Sequence, residues 1–280
     1  MNKQALIVTI ASMKGGVGKT AITSLLARYL AEIEGKQVLV VDFDGRGGIT
    51  SLLHHEPLAA NKPTIIEILL AAFQGMDPNE AFSQAVIQTN LGTKYGWDDK
   101  GGSIFLIPNK PNLDDILVEM NSGLLKAALR NLDLPEDQII LIDSGADSLN
   151  VKMSIAAADI VFLPLIFSKQ DVHPSVETLR AICLEQRENG TPFFGGLVIN
   201  QNGDAQWERT YLTNYQNLID KFTTKVNLKC SENKILFPLR QSRIIRRGTH
   251  LSWSWREDIQ NSTREIIETI KNFETNRAGV

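Results

Sequence analysis

Apolar positions near the start of the chain change rhythm within a few residues. Residues 5–10 (ALIVTI) form an apolar run rich in β-branched side chains, as expected of a parallel strand covered on both faces. From 20 to 33 the apolar residues Ile22, Leu25, Leu26, Tyr29, Leu30 and Ile33 recur at helical spacing instead. Between the two lies Ser12-Met13-Lys14-Gly15-Gly16-Val17-Gly18-Lys19-Thr20, so strand, glycine-rich loop and helix follow in order. The alternation repeats along the chain. Runs at 38–41, 103–107, 138–142, 160–165 and 193–199 read as further strands, the second of them ended by Pro108. Segments 65–73, 113–132 and 174–187 read as helices, Pro63-Thr64 starting the first, and Pro78-Asn79-Glu80 opens a shorter one. Residues 92–102 read as a polar loop, and 256–273 as a final helix with Ile259, Ile266, Ile267, Ile270 and Phe273 on one side. The pattern predicts one doubly wound α/β domain over 1–280, with a mainly parallel sheet, helices on both faces and the ligand at the strands' C-terminal ends. An apolar content of 43% in 280 residues is enough for one sizeable core.

The loop carries the first candidate chemistry. Glycines let its backbone curl so that N–H groups point inward, and the following helix adds partial positive charge, which together make a cradle for phosphate. The backbone of Gly15, Gly16, Val17, Gly18, Lys19, Thr20 and Ala21 is expected to line it. Lys19 is placed to reach the β- and γ-phosphates, and the Thr20 hydroxyl to take one position on Mg²⁺. Acids end two of the buried strands. Asp42 and Asp44 follow the run 38–41 one residue apart, on one face of a strand, where both can approach magnesium and the γ-phosphate. Asp44 could also cap the next helix. Asp143 closes the run 138–142 in the manner of a Walker B element, orienting magnesium through water.

The loop departs from a strict G-x-x-x-x-G-K-[ST] by carrying Met13 in place of glycine and by adding Lys14. As it stands, Lys14-Gly15-Gly16-Val17-Gly18-Lys19-Thr20 resembles the K-G-G-x-x-G-K-[ST] loop of the deviant Walker A ATPases of the ParA/MinD group. That resemblance implies a P-loop fold, ATP with Mg²⁺, and a homodimer around two ATP molecules in which Lys14 reaches the partner's nucleotide. It implies that Asp44 orients the attacking water, as the second acid of the family's D-x-D-P-Q. Here Gly45-Arg46 replace Pro and Gln, and Gly47-Gly48 follow, so a flexible loop and a slow basal rate are expected. Arg46 either contacts phosphate or is solvated. Asp143 matches the start of the family's D-x-P-P but continues Ser144-Gly145-Ala146-Asp147. Asn200 matches the residue that recognises adenine, an amide offering both donor and acceptor, although a turn-forming Asn needs no ligand. Phe237-Pro238-Leu239-Arg240 is similar to the I-P-R segment that closes over the base, which places Pro238 and Arg240 at the nucleotide, DNA being the other reading of Arg240.

A net charge of −3 gives no global case for nucleic-acid binding, but the last third holds a local one. Lys221, Lys225, Lys229, Lys234, Arg240, Arg243, Arg246 and Arg247 are interrupted by Glu232 alone, with Trp253 and Trp255 just beyond. Such a cluster is the footprint of a phosphate-backbone binder or else a solvated face, and Arg243, Arg246, Arg247, Lys221 and Lys225 are the DNA-binding candidates. The final helix mixes Glu257, Asp258, Glu265, Glu268 and Glu274 with few bases, which predicts packing onto the domain and no membrane partner. No apolar run is long enough to span a bilayer, and the first one leads straight into the phosphate loop, unlike a cleavable signal peptide. Cys183 and Cys230 form no C-x-x-C pair, which fits a reducing cytoplasm, and Cys183 falls on the apolar stripe of 174–187. His54-His55 reads as a surface pair, and Lys152 either approaches phosphate or the dimer partner or is solvated.

The resemblance as a whole implies a Mg²⁺-dependent ATPase of the cytoplasm and nucleoid. It would bind DNA nonspecifically as an ATP dimer and be discharged by a ParB-like cargo adaptor, so positioning a plasmid, chromosome locus or protein organelle. A MinD-like membrane-associated ATPase and a dethiobiotin-synthetase-like ligase are the alternatives. A nitrogenase-reductase-like carrier would need cysteines in the switch regions, where there are none.

Overall fold

A computed structural model describes residues 4–89, 101–111, 113–118, 120–135, 137–168, 170, 172–202, 206–232, 234–240 and 254–278. The apolar run near the start becomes β1 (Leu6–Ile10), every residue of which is buried. After it come α1 (Lys19–Arg28), β2 (Gln37–Phe43), α2 (Gly48–Leu53), α3 (Ile65–Phe73), α4 (Asn79–Ala85), β3 (Ile87–Gln88), β4 (Ser103–Ile107), α5 (Leu113–Leu117) and α6 (Leu124–Arg130). The second half adds β5 (Ile139–Ser144), α7 (Ser148–Ala157), β6 (Ile160–Leu165), α8 (Val172–Asn189), β7 (Phe193–Asn202), α9 (Gln206–Val226), β8 (Ile235–Arg240) and α10 (Ser254–Ala278). The strands form one sheet in the order β3-β4-β2-β5-β1-β6-β7-β8. Every pairing is parallel except that of the short β3 with β4.

Side-chain alternation along the strands sorts the core onto two faces. Val8, Val40, Leu141 and Phe162 meet Ile22 and Leu26 of α1 and Ile266 and Ile270 of α10 on one side. On the other, Ile7, Leu39 and Ile140 pack under α3 and α6, while Val161, Leu163 and Leu197 pack under α8 and α9. Cys183 belongs to this second layer, as the stripe predicts. Ile266, Ile267, Ile270 and Phe273 of α10 are therefore taken up by the sheet, and among the described residues no helix is long and apolar enough to cross a membrane.

Element positions follow the sequence pattern, with instructive departures. Thr64 caps α3 with a full capping box, its hydroxyl accepting the Ile66 N–H while Glu67 accepts the Thr64 N–H. The helix expected over 113–132 is two, α5 and α6. Met120 N–H bonds back to Leu117 O, the Asn121 side chain accepts the Gly123 N–H, and this turn chemistry outcompetes the helix. The helix expected to run to 33 ends as a π-helical turn over Tyr29–Ile33. The elements α2, β3, α9 and β8 are not among those expected, although Tyr211, Tyr215, Leu218, Ile219 and Phe222 of α9 recur at helical spacing. Of the polar loop expected over 92–102, only 101 and 102 are among the described residues.

One acid ties the start of the sheet to the end of the chain. Asp159, just before β6, accepts the Ile7 N–H at 2.8 Å and Arg130 Nη2 at 2.6 Å, and forms an ion pair with Arg277 Nη1 at 3.5 Å.

Candidate nucleotide site

The loop leaving β1 reaches α1 through two left-handed glycines, Gly16 at φ 77° and Gly18 at φ 94°. Gly18 has a second reason to be glycine. A Cβ there would lie 1.9 Å from Nδ2 of Asn200, which donates at 2.9 Å to Val17 O and so packs the end of β7 against the loop. The ammonium of Lys19 closes the ring from inside, donating to Lys14 O at 3.0 Å and Ser12 O at 3.2 Å. Burial lowers its pKa, opposed by Asp143 and Asp44. Met13 N–H is held by Thr178 of α8 and Lys14 N–H by Ser12 Oγ. Gly15 and Gly16 are exposed, and Val17 is buried. The loop is thus wound around a desolvated cation.

Behind the cradle, Thr20 Oγ1 donates to Asp143 Oδ2 at 2.7 Å. Asp143 is fully buried, and burial pushes its carboxyl up to about 8 against the pull of the Thr20 hydrogen bond. Asp42 is its register partner on β2, pushed up to about 6 by burial, with Thr50's hydrogen bonds opposing. Among the described residues no three His, Cys, Asp or Glu side chains converge as a metal cage. A hydroxyl beside a buried carboxyl nevertheless suits Mg²⁺, which takes few protein ligands and fills its shell with phosphate and water.

Asp42 and Asp44 do not act alike. Asp42 Oδ2 accepts Thr50 Oγ1 at 2.5 Å and Thr50 N–H at 2.9 Å, and Oδ1 accepts the Asp44 N–H at 3.2 Å, so this carboxylate fastens the start of α2 to β2. Asp44 lies past the end of β2, half-buried, its carboxylate accepting the Arg46 N–H at 3.1 Å. Its main-chain carbonyl accepts the N–H of Gly47, at φ 64°, closing a tight turn. The same carbonyl accepts Asn109 Nδ2 at 2.8 Å. The parallel loop after β5 is tied to both neighbouring strands, Ser144 Oγ donating to Ile10 O and Gly145 N–H to Phe43 O.

The fold thus brings Lys14, Lys19, Thr20, Asp42, Asp44, Asp143 and Asn200 to the C-terminal edge of the sheet. Pro238 and Arg240 belong to β8 beside them, where Leu239 pairs with Asn200; their side chains lie outside the described residues. So do Arg243, Arg246 and Arg247. Lys221 and Lys225 are exposed on α9. Lys234 pairs with Asp220 at 2.9 Å, so the basic stretch is interleaved with one acid more than the linear sequence suggests. His54 and His55 join no metal cluster among the described residues, and Lys152 is exposed. Thr50 and Asn109 are the site residues that sequence reasoning missed. The usable signals were a hydroxyl in the first turn after the Asp42 loop and an amide just past the Pro108 that ends a neighbouring strand.

Residues 8–278 match the model of the CobQ/CobB/MinD/ParA nucleotide binding domain. The "maintenance of carboxysome distribution protein A" of Synechococcus elongatus is 29% identical over 180 residues, 62% of this chain and 63% of the relative. The septum site-determining protein MinD of Helicobacter pylori is 36% identical over 143 residues, 51% of this chain and 45% of the relative. The matched stretches thus span less than two thirds of either relative's length. Among solved structures, the ATP complex of a Cyanothece McdA variant superposes with a TM-score of 0.73 at 20% identity, covering 96% of this chain and 97% of that one. A Borrelia burgdorferi plasmid partition protein bound to AMPPNP gives 0.66 at 21%, covering 95% and 99%. At such identities the structural likeness speaks for the fold.

Proposed function

Since the chain belongs to the CobQ/CobB/MinD/ParA nucleotide-binding family, we propose that it is a Mg²⁺-dependent ATPase that positions or partitions a cargo. The observation that carries this reading is the junction at one sheet edge of a two-lysine phosphate loop, the Thr20–Asp143 pair and the Asp44 turn. ATP enters the cradle by replacing the loop carbonyls that Lys19 now holds, exchanging neutral acceptors for phosphate oxygens. Asn200 is assigned to the base by its match to the family position, with one N–H of its amide committed to Val17 O. Thr20 and Asp143, with Asp42 behind them, would hold Mg²⁺, which neutralises charge on the phosphates when bound. Asp44 orients the attacking water, whose oxygen bonds to the γ-phosphorus as the bond to ADP breaks.

Lys14, one turn of loop away from Lys19, completes the pocket of a second copy in an ATP-dependent homodimer. Lys14→Ala is expected to leave ATP affinity within about threefold while the chain elutes as a monomer with ATP, read by size-exclusion chromatography with light scattering. A dimer under those conditions would remove the role in trans.

Several relatives are named for distributing carboxysomes, partitioning plasmids or segregating chromosomes. The packing of Ile266, Ile267 and Ile270 of α10 on the sheet takes up the apolar stripe that a membrane-binding tail would use, and DNA is the surface this reading assigns. A ParB-like adaptor would trigger hydrolysis, on the nucleoid in the cytoplasm. The deciding experiment is DNA binding by the purified protein with ATP, with ADP and without nucleotide. Binding with ATP alone supports the positioning reading, and binding indifferent to nucleotide overturns it. Arg243, Arg246 and Arg247 replaced together by Ala should reduce the slope of log K against log salt by about 2 to 3, at roughly 0.9 for each phosphate no longer neutralised. An unaltered slope makes the basic stretch a solvated face.

A further inference from the structure

Asn109 occupies a place that neither the phosphate loop nor the magnesium site explains. It follows Pro108 at the end of β4, the strand beside β2, with only 3% of its surface exposed. Its main-chain N–H and both polar atoms of its side chain are engaged. The N–H donates to Thr50 Oγ1 at 3.1 Å, Nδ2 donates to Asp44 O at 2.8 Å, and Oδ1 accepts the Lys110 N–H at 2.8 Å. Its own segment is anchored, since Pro108 O accepts the Ile65 N–H that opens α3. One residue at the end of β4 therefore grips the Asp44–Thr50 loop at both ends. Through Thr50 it also reaches Asp42, because the same hydroxyl that accepts the Asn109 N–H donates to Asp42 Oδ2.

The loop needs such a grip. Gly45, Gly47 and Gly48 give its backbone more freedom than an ordinary loop has, so a carboxylate carried there would wander unless its main chain were held from outside. The Asp44 carbonyl is held twice, by the Gly47 N–H within the turn and by Asn109 from beyond it. The Asp44 carboxylate meanwhile accepts the Arg46 N–H.

We propose that Asn109 is a positioning residue for Asp44, fixing the glycine-rich loop so that the carboxylate stands where hydrolysis requires it. The inference rests on the reading of Asp44 as the group that orients water. A displacement of about an ångström at a reacting group can cost on the order of a hundredfold in rate, while nucleotide affinity, set by the phosphate loop, is untouched.

The test is single-turnover hydrolysis of ATP with Mg²⁺, beside the affinity for a fluorescent ATP analogue, in the full chain. Asn109→Asp keeps the acceptor for Lys110 and the shape of the side chain but loses the donor to Asp44. Its hydrolysis rate is expected to fall about 10- to 100-fold with affinity within about twofold. Combining it with Asp44→Ala should slow the reaction no further than Asp44→Ala alone, because the grip then positions nothing. Asn109→Ala, assayed with its thermal unfolding midpoint, should repeat the rate loss. Full-speed Asn109→Asp beside a slow Asp44→Ala overturns this inference and leaves the reading of Asp44 standing. Rate and affinity falling together, or additive losses in the double variant, overturn it as well. A full-speed Asp44→Ala removes the reading of Asp44 and this inference with it.

Discussion

Lys19→Ala is expected to weaken ATP binding by about a hundredfold or more. The Lys19 ammonium is buried and donates to Lys14 O and Ser12 O, so the loop is wound around it. On the proposed reading the ammonium exchanges these carbonyls for phosphate oxygens. Charge-assisted hydrogen bonds are worth about 1.5–3 kcal/mol each, so losing two to the phosphates corresponds to roughly two to four decades in Kd at about 1.4 kcal/mol per decade. Alanine adds a second loss, because the two carbonyls that now face the ammonium would face an incoming phosphate with nothing between them. Isothermal titration with ATP and Mg²⁺ reads the effect directly. A Kd within threefold of the wild type would show that the triphosphate does not sit on this loop.

Asp44→Ala should have the opposite profile, with binding intact and chemistry stopped. Among the described residues its carboxylate hydrogen-bonds only a main-chain N–H of its own turn, while the carbonyl that Gly47 and Asn109 hold survives the substitution. Deleting the carboxylate therefore leaves cradle, Thr20–Asp143 pair and loop in place. Single-turnover hydrolysis should slow by about a hundredfold or more, the lower range for a general acid–base group, with ATP affinity within about threefold. The ATP-bound homodimer should accumulate and persist in size-exclusion chromatography. Hydrolysis at the wild-type rate would move the water-orienting role to another residue.

What could be read from the sequence was what is local in it. The run before the loop, the loop and the helical stripe after it are consecutive, so β1, the cradle and α1 were legible together, as were the acids that end β2 and β5. The break between α5 and α6 was not, because Leu117, Met120, Leu124 and Leu125 all face one apolar layer and the stripe continues across it. Asn109 and Thr50 meet across 59 positions, and Asn200 meets Val17 across 183, distances that periodicity does not register. Asn200 was found through family resemblance, whereas its contact with the loop, and the consequent need for glycine at Gly18, came only from the fold. The pairing of Lys234 with Asp220 escaped for the same reason, since an acid on α9 and a base before β8 are brought together only by packing.

The bonds collected by Asp159 bear on how the protein is made. Ile7 is translated 152 residues ahead of Asp159, whose carboxylate its N–H needs, and 270 ahead of Arg277, which pairs with that carboxylate. At about 5–20 residues per second, that interval is roughly a quarter of a minute to a minute. The strand on which the phosphate loop is mounted also borders β5 and β6, both drawn from the middle of the chain. The strand that carries the phosphate loop is thus closed on both edges only once residues 139–165 are made, and until then its apolar run lacks those neighbours and is a segment a chaperone would meet.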